Sequence, residues 1–171
     1  MKPNKSKELK LSHEYLLEIL EYFPNTGIFV WKVKQARCIG IGKEAGYRHK
    51  PTGRYRIVIN NTQYLRSRLV WFYTHGKWPE APKDQIDHRN RIKDDDRIEN
   101  LREANSQENQ WNAVQRRKYD LPKGIYRHGN KFKVEMKHGN KLKYLGLFSN
   151  LEDAIKIRNK FDVIHRKFLY E

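Results

Sequence analysis

The stretch Ile86 to Asn112, IDHRNRIKDDDRIENLREANSQENQWN, constrains this chain more than any other. Asp87 and His88 are adjacent, Asn100-Leu101 follows thirteen residues after Asp87, and Asn109 lies 22 residues after it. Those intervals let a hairpin or loop fold back and bring the three places together. From Asn105 the chain is expected to enter a helix, with Asn105 as N-cap and Glu108 three residues on completing a capping-box-like start. Asn109 and Asn112 then share a helix face. The run Asp94-Asp95-Asp96 reads as turn chemistry, since three adjacent carboxylates at a turn usually cap and solubilise; a metal-ligand reading stays open beside it.

These residue types suit phosphodiester hydrolysis, which needs an activated water, an electrophilic cation on the phosphate and stabilisation of the leaving oxygen. Asp87 offers a hard anionic oxygen for Mg²⁺ or Mn²⁺, and His88 an imidazole, the side chain most often used as a general base. On a strand, neighbouring side chains point to opposite faces, so the pair is expected to need a bend or bulge to serve one site. Asn109 would add a neutral oxygen ligand. Asn100 is expected to hydrogen-bond either the backbone or the imidazole and so hold the base.

Charge placement agrees with a site held between two gripping arms. The chain carries a net +16 with a pI near 9.9, which favours a polyanionic partner. Residues 1–78 hold an excess of ten positive charges and residues 119–171 an excess of six, whereas residues 79–118 balance. The expected partner is double-stranded DNA, engaged by a monomer or homodimer. A generally basic, ribosome-associated protein would explain the sum but not the placement. Cys38 is the single cysteine, which excludes a disulfide framework and a cysteine-built structural zinc site. There is neither an apolar leader in MKPNKSKELK nor a membrane-length apolar run, so a soluble protein of a reducing, cytoplasmic compartment is expected.

The flanks read as small α+β modules, giving expected domains at 1–78, 79–118 and 119–171. Ser12 caps a predicted helix through HEYLLEILEYF, with Leu16, Ile19, Leu20 and Phe23 on one face. Strands are predicted over Ile28 to Val33, Tyr55 to Asn60 and Gln63 to Arg68, the last two joined at Asn61-Thr62. A short helix over Leu69 to Thr74 follows, its Trp71, Phe72 and Tyr73 read as core. Arg116-Arg117-Lys118 would complement a helix end or a phosphate. Beyond Pro122, predicted strands at Gly124 to Arg127, Lys131 to Lys137 and Leu142 to Leu147 form a meander. A helix capped by Ser149 and Glu152 closes it, with a core stripe from Leu151 to Phe168. Alternation sets Lys131, Lys133, Glu135 and Lys137 on one face of the middle strand and Phe132, Val134 and Met136 on the other.

The segments RLVW (Arg68 to Trp71), GKWP, IDH, DDRIENLR and ENQWN resemble the pattern of the phage HNH homing endonucleases, built on the ββα-metal motif. The resemblance implies a site for one divalent cation with Asp87 and Asn109 as ligands, His88 as general base and Asn100 orienting it. It also implies a phage-encoded enzyme acting in a bacterial host. Two positions depart from that pattern. Ser67 stands where the family usually has His, and Asp96 where it usually has Asn; neither is expected to touch the core of the site. The C-terminal module resembles the ethylene-response-factor DNA-binding domain through Gly124-Ile125, Lys131-Phe132, Glu135-Met136-Lys137, Leu145-Gly146-x-Phe148 and Glu152-Asp153-Ala154, with Tyr144 where that family has a groove-reading Trp. Arg68, Arg127, Lys131, Lys133, Lys137, Lys143 and Tyr144 are the expected DNA contacts. The alternatives from other classes are a non-catalytic DNA-binding regulator and an RNA-binding structural protein; both lack a use for Asp87, His88 and Asn109 together.

Overall fold

A computed structural model describes residues 5–8, 10–34, 40–113, 120–139 and 141–167. Cys38, Asn140, Phe168 and the run Arg116 to Lys118 lie outside the described residues. The chain is mixed α+β and divides into two compact units, Met1–Asn109 and Gln110–Glu171.

The first unit runs α1 (Lys5–Glu8), α2 (His13–Ile19), β1 (Leu20–Phe23), β2 (Ile28–Trp31), β3 (Tyr47–His49), β4 (Arg54–Ile59), β5 (Thr62–Leu65), α3 (Arg66–His75), β6 (Gln85–His88), a 3-10 turn (Ile98–Asn100) and β7 (Leu101–Ala104), after which α4 (Ser106–Asn112) begins. Its strands form three small antiparallel sheets, β1-β2, β3-β4-β5 and β6-β7. Ser12 caps α2 by accepting from the Tyr15 N–H at 3.2 Å. The helix stops at Ile19 rather than continuing to Phe23, because Leu20 to Phe23 pair residue by residue with Trp31 to Ile28. Leu16, Ile19 and Leu20 fit either period; Tyr22 and Phe23 separate them. Tyr22 is buried while Phe23 is 41% exposed, as strand alternation requires.

The β4-β5 connection is a two-residue turn at Asn60 and Asn61, with φ of 49° and 59°, one residue earlier than expected. Asn tolerates this left-handed backbone better than other non-glycine residues. The strand expected over Gln63 to Arg68 ends at Leu65, and α3 takes Arg66, Ser67 and Arg68 into its first turn. All three are buried. Leu16, Phe29, Ile57 and Leu69 form one hydrophobic cluster that also includes Ile86 of β6 and Leu101 of β7. The strands carrying the candidate site are therefore seated on the same core as the N-terminal elements.

The second unit holds β8 (Ile125–His128), β9 (Lys131–His138), β10 (Lys141–Phe148) and α5 (Leu151–His165). The strands form an antiparallel meander with β9 central, and α5 packs on it through Val134, Met136, Ala154 and Phe161. Asn150, rather than Ser149, caps α5, accepting from the Asp153 N–H at 2.8 Å. Among the described residues no helix is long and apolar enough to cross a membrane.

One close approach links the first hairpin to the loop before the 3-10 turn. Gly27 has φ +72°, and a Cβ there would lie 2.6 Å from backbone atoms of Asp96 and Arg97. Gly27→Ala is therefore expected to destabilise the fold by about 2 kcal/mol or more, from left-handed strain and overpacking together. Chemical denaturation checks this; an unchanged midpoint would refute the contact.

Candidate active site

β6 and β7 pair in regular register, Gln85 with Ala104, Ile86 with Glu103, Asp87 with Arg102 and His88 with Leu101, without the bulge the sequence suggested. The pleat consequently turns Asp87 toward the Gln85 face and His88 toward the opposite one. His88 is the last residue of β6, so the pair sits where the chain leaves the ladder. Both side chains are buried.

On the first face, the Asp87 carboxylate accepts from Arg102 Nε at 3.1 Å. Asn109 donates through Nδ2 to Gln85 Oε1 at 2.7 Å, which brings α4 over this face. The helix start that delivers it is a reciprocal capping box: the Asn105 N–H donates to Glu108 at 2.8 Å, and the Glu108 N–H to Asn105 Oδ1 at 2.9 Å. The Asp87 carboxylate and the Asn109 amide oxygen are hard donors that suit Mg²⁺ or Mn²⁺, an ion of this class keeping several waters when it binds few protein groups. Among the described residues no group of three or more His, Cys, Asp or Glu could hold a metal. Any cation here would rest on a carboxylate and an amide.

On the second face, His88 Nε2 lies 2.9 Å from Asp96 Oδ1, and Asp96 Oδ2 accepts from Arg66 Nε at 2.7 Å. Arg66 further donates to Glu44 at 3.2 Å and to the Asp94 carbonyl at 3.0 Å, and its guanidinium lies 3.8 Å over the Tyr55 ring. Asp96 is only 1% exposed. Its substitution for the family's usual Asn thus reaches the imidazole directly, which corrects the expectation that this departure leaves the site untouched. The Tyr22 hydroxyl donates to the Asp96 carbonyl at 3.1 Å and accepts from the Ile98 N–H at 2.9 Å. Burial pushes that hydroxyl up to about 12, so it remains a neutral donor.

Asn100 braces the loop between the strands. Its Oδ1 accepts from the Asn90 N–H at 2.9 Å, its Nδ2 donates to the Asp95 carbonyl at 2.8 Å, and its own carbonyl accepts from the Arg89 N–H at 2.8 Å. Of the two partners the sequence left open, the side chain takes the backbone. Arg68 also turns inward, with Nε and Nη2 on Glu8 at 2.6 and 2.9 Å and Nη1 on the Asp84 carbonyl at 2.6 Å.

Residues 64–111 match the family model described as HNH endonuclease. This HNH segment contains Arg66, Asp87, His88, Asp96, Asn100 and Asn109, and it supports a nuclease function acting on nucleic acid. Neither the curated proteins nor the solved structures gave a match. Sequence reasoning missed Arg66, Gln85, Asp96 and Arg102; the unusual Asp at position 96 was the one signal available.

In the second unit, β9 carries Lys131, Lys133, Glu135 and Lys137 on the face away from α5. Cross-strand pairing sets Tyr126, Leu142, Tyr144 and Leu147 beside them. Tyr144 is 59% exposed. Lys133 is paired with Glu135 at 3.0 Å. Arg127 and Lys143 instead oppose Phe132 and Met136, on the side that α5 covers, and remain exposed.

Asp95 anchors the loop electrostatically. Hydrogen bonds from Arg97 at 2.8 Å to each oxygen hold its carboxyl down to about 2, against burial, with Asn90 Nδ2 assisting at 2.6 Å. A carboxyl lowered in the folded state stabilises it above the ordinary value of 3.8 and loses that contribution as pH falls through about 2. Thermal unfolding of wild type and Asp95→Asn should therefore differ at about pH 5 and converge as pH falls toward about 2. A gap that persists undiminished in acid would remove this ion pair as its cause.

Proposed function

We propose that the chain is a metal-dependent DNA endonuclease that hydrolyses phosphodiester bonds in duplex DNA, of the phage homing type and working in the bacterial cytoplasm. The observation that carries this reading is the buried Asp87-His88 pair at the end of β6, inside the HNH segment, with Asn109 drawn over the Asp87 face. The two side chains leave the end of β6 on opposite faces, so a scissile phosphate would have to lie across that strand end to meet both. His88 takes the proton of the attacking water as its oxygen bonds to phosphorus and the bond to the leaving oxygen breaks. Asp87 and Asn109 would hold one Mg²⁺ or Mn²⁺, which when bound stabilises charge on the scissile phosphate and the leaving oxygen. Arg102 fixes the Asp87 carboxylate, and Asn100 holds the loop that returns the chain to β7. One such set per chain makes a monomer a nicking enzyme, with a homodimer or two successive events needed to cut both strands.

Neutral in net charge, the central region would rely on its basic flanks for grip. In the second unit the open face of Lys131, Lys133, Lys137 and Tyr144 combines cations with an aromatic ring, a composition suited to phosphate and groove contact. Arg127 and Lys143, also expected contacts, lie on the α5 side of the sheet and so off this face.

Purified chain incubated with supercoiled plasmid and Mg²⁺ should give nicked or linear product, and His88→Ala should lower the rate by about 100-fold or more while DNA affinity holds. Intact plasmid across several substrates and cations would sink the enzyme reading. Separately, replacing Lys131 and Lys137 by Ala should weaken binding and flatten its salt dependence by about one unit of slope for each phosphate no longer neutralised. An unaltered slope would exclude that face from the interface.

A further inference from the structure

The family resemblance gives the orienting role to Asn100, yet both ends of that side-chain amide are engaged by the loop backbone. The imidazole is met by Asp96. We propose that Asp96, held by Arg66, is the positioning residue that keeps the proton of His88 on Nε2 and so fixes the tautomer and placement of the candidate base; this rests on the nuclease reading above.

The argument is one of donors and acceptors. Arg66 can only donate, and it is paired with Asp96 Oδ2 at 2.7 Å inside the protein. A carboxylate in that ion pair can only accept, so the contact from His88 Nε2 to Asp96 Oδ1 at 2.9 Å requires the proton on Nε2. The basic lone pair is then on Nδ1. Asp96 is fixed at its main chain as well, through the Tyr22 hydroxyl on its carbonyl. The Asn usual at this position would behave differently beside Arg66. An amide has one acceptor oxygen, which Arg66 would claim, leaving the NH₂ to face Nε2 and force the proton onto Nδ1. The carboxylate at position 96 and the arginine at position 66 therefore belong together in this chain.

Asp96→Asn, nearly isosteric, is the test. Nitrogen-15 NMR of the full-length chain, with the His88 ring assigned by comparison with His88→Gln, should show the Nε2–H form in wild type and the Nδ1–H form in Asp96→Asn. On plasmid with Mg²⁺, Asp96→Asn should lose about 100-fold in kcat with KM unchanged to within about twofold. Replacing Arg66 by Met in the Asn variant should return the amide oxygen to His88 and recover part of the rate. An Nδ1–H ring in wild type overturns the proposal whether or not any variant folds, and so does an Asp96→Asn chain with full kcat. Wild type that shows the Nε2–H ring but never cleaves would instead mark failure of the nuclease reading, and there would then be no base to position.

Discussion

The buried chain of charge-assisted hydrogen bonds from Arg66 through Asp96 to His88 is the interaction on which the first unit depends. It joins α3, the inter-strand loop and the end of β6, elements that also share the hydrophobic core through Leu69, Ile86 and Ile98. Burying a guanidinium is costly unless its donors are met. Here a carboxylate, a carbonyl, Glu44 and the face of Tyr55 meet it from four directions. Removing one member of such a set typically costs about 3–5 kcal/mol, because an uncompensated charge stays behind. The same arrangement that makes the loop hard to displace also holds the imidazole still.

Two arginines that sequence alone assigns to surface or motif thus belong to the interior. Arg68, two residues beyond Arg66 and so on nearly the opposite side of α3, meets the Glu8 carboxylate and the Asp84 carbonyl rather than solvent. Stretches rich in Arg next to Leu and Trp are read by period and charge, and neither reveals which carboxylate, thirty or sixty residues distant, arrives to meet them. The basic groups of the second unit differ in kind. Lys131 and Lys137 stand exposed on a sheet whose apolar face is already covered by α5.

Local rules carried much of the reading where a single period or cap decided the outcome, although the cap of α5 fell one residue later than expected. The meander of the second unit, its alternation along β9 and the Asn105-Glu108 box were all legible, since each depends on residues within a few positions of one another. Pairing between distant segments was not. Leu20 to Phe23 looks helical until β2 is present to receive it. The same limit governed the site: Asp87, His88 and Asn109 declare themselves by residue type, while Gln85, Arg102 and Asp96 matter only through the partners that the fold supplies. The Asp94 to Asp96 run divides accordingly. Asp95 is the turn residue that such runs suggest, whereas Asp96 points into the protein and contacts the candidate base.

The Tyr22 hydroxyl, seated between the Asp96 carbonyl and the Ile98 N–H, ties the HNH segment to chain that lies outside it. Tyr22, Gly27 and Glu44 all precede residue 64, yet each touches the loop that carries Asp96 or the arginine that holds it. The border of recognisable motif and the border of mechanical support are therefore different lines. An evolutionary graft that moved residues 64–111 alone would carry the candidate residues without their frame. The hairpin at residues 20–31 is better regarded as backing for the candidate site than as a neighbouring module.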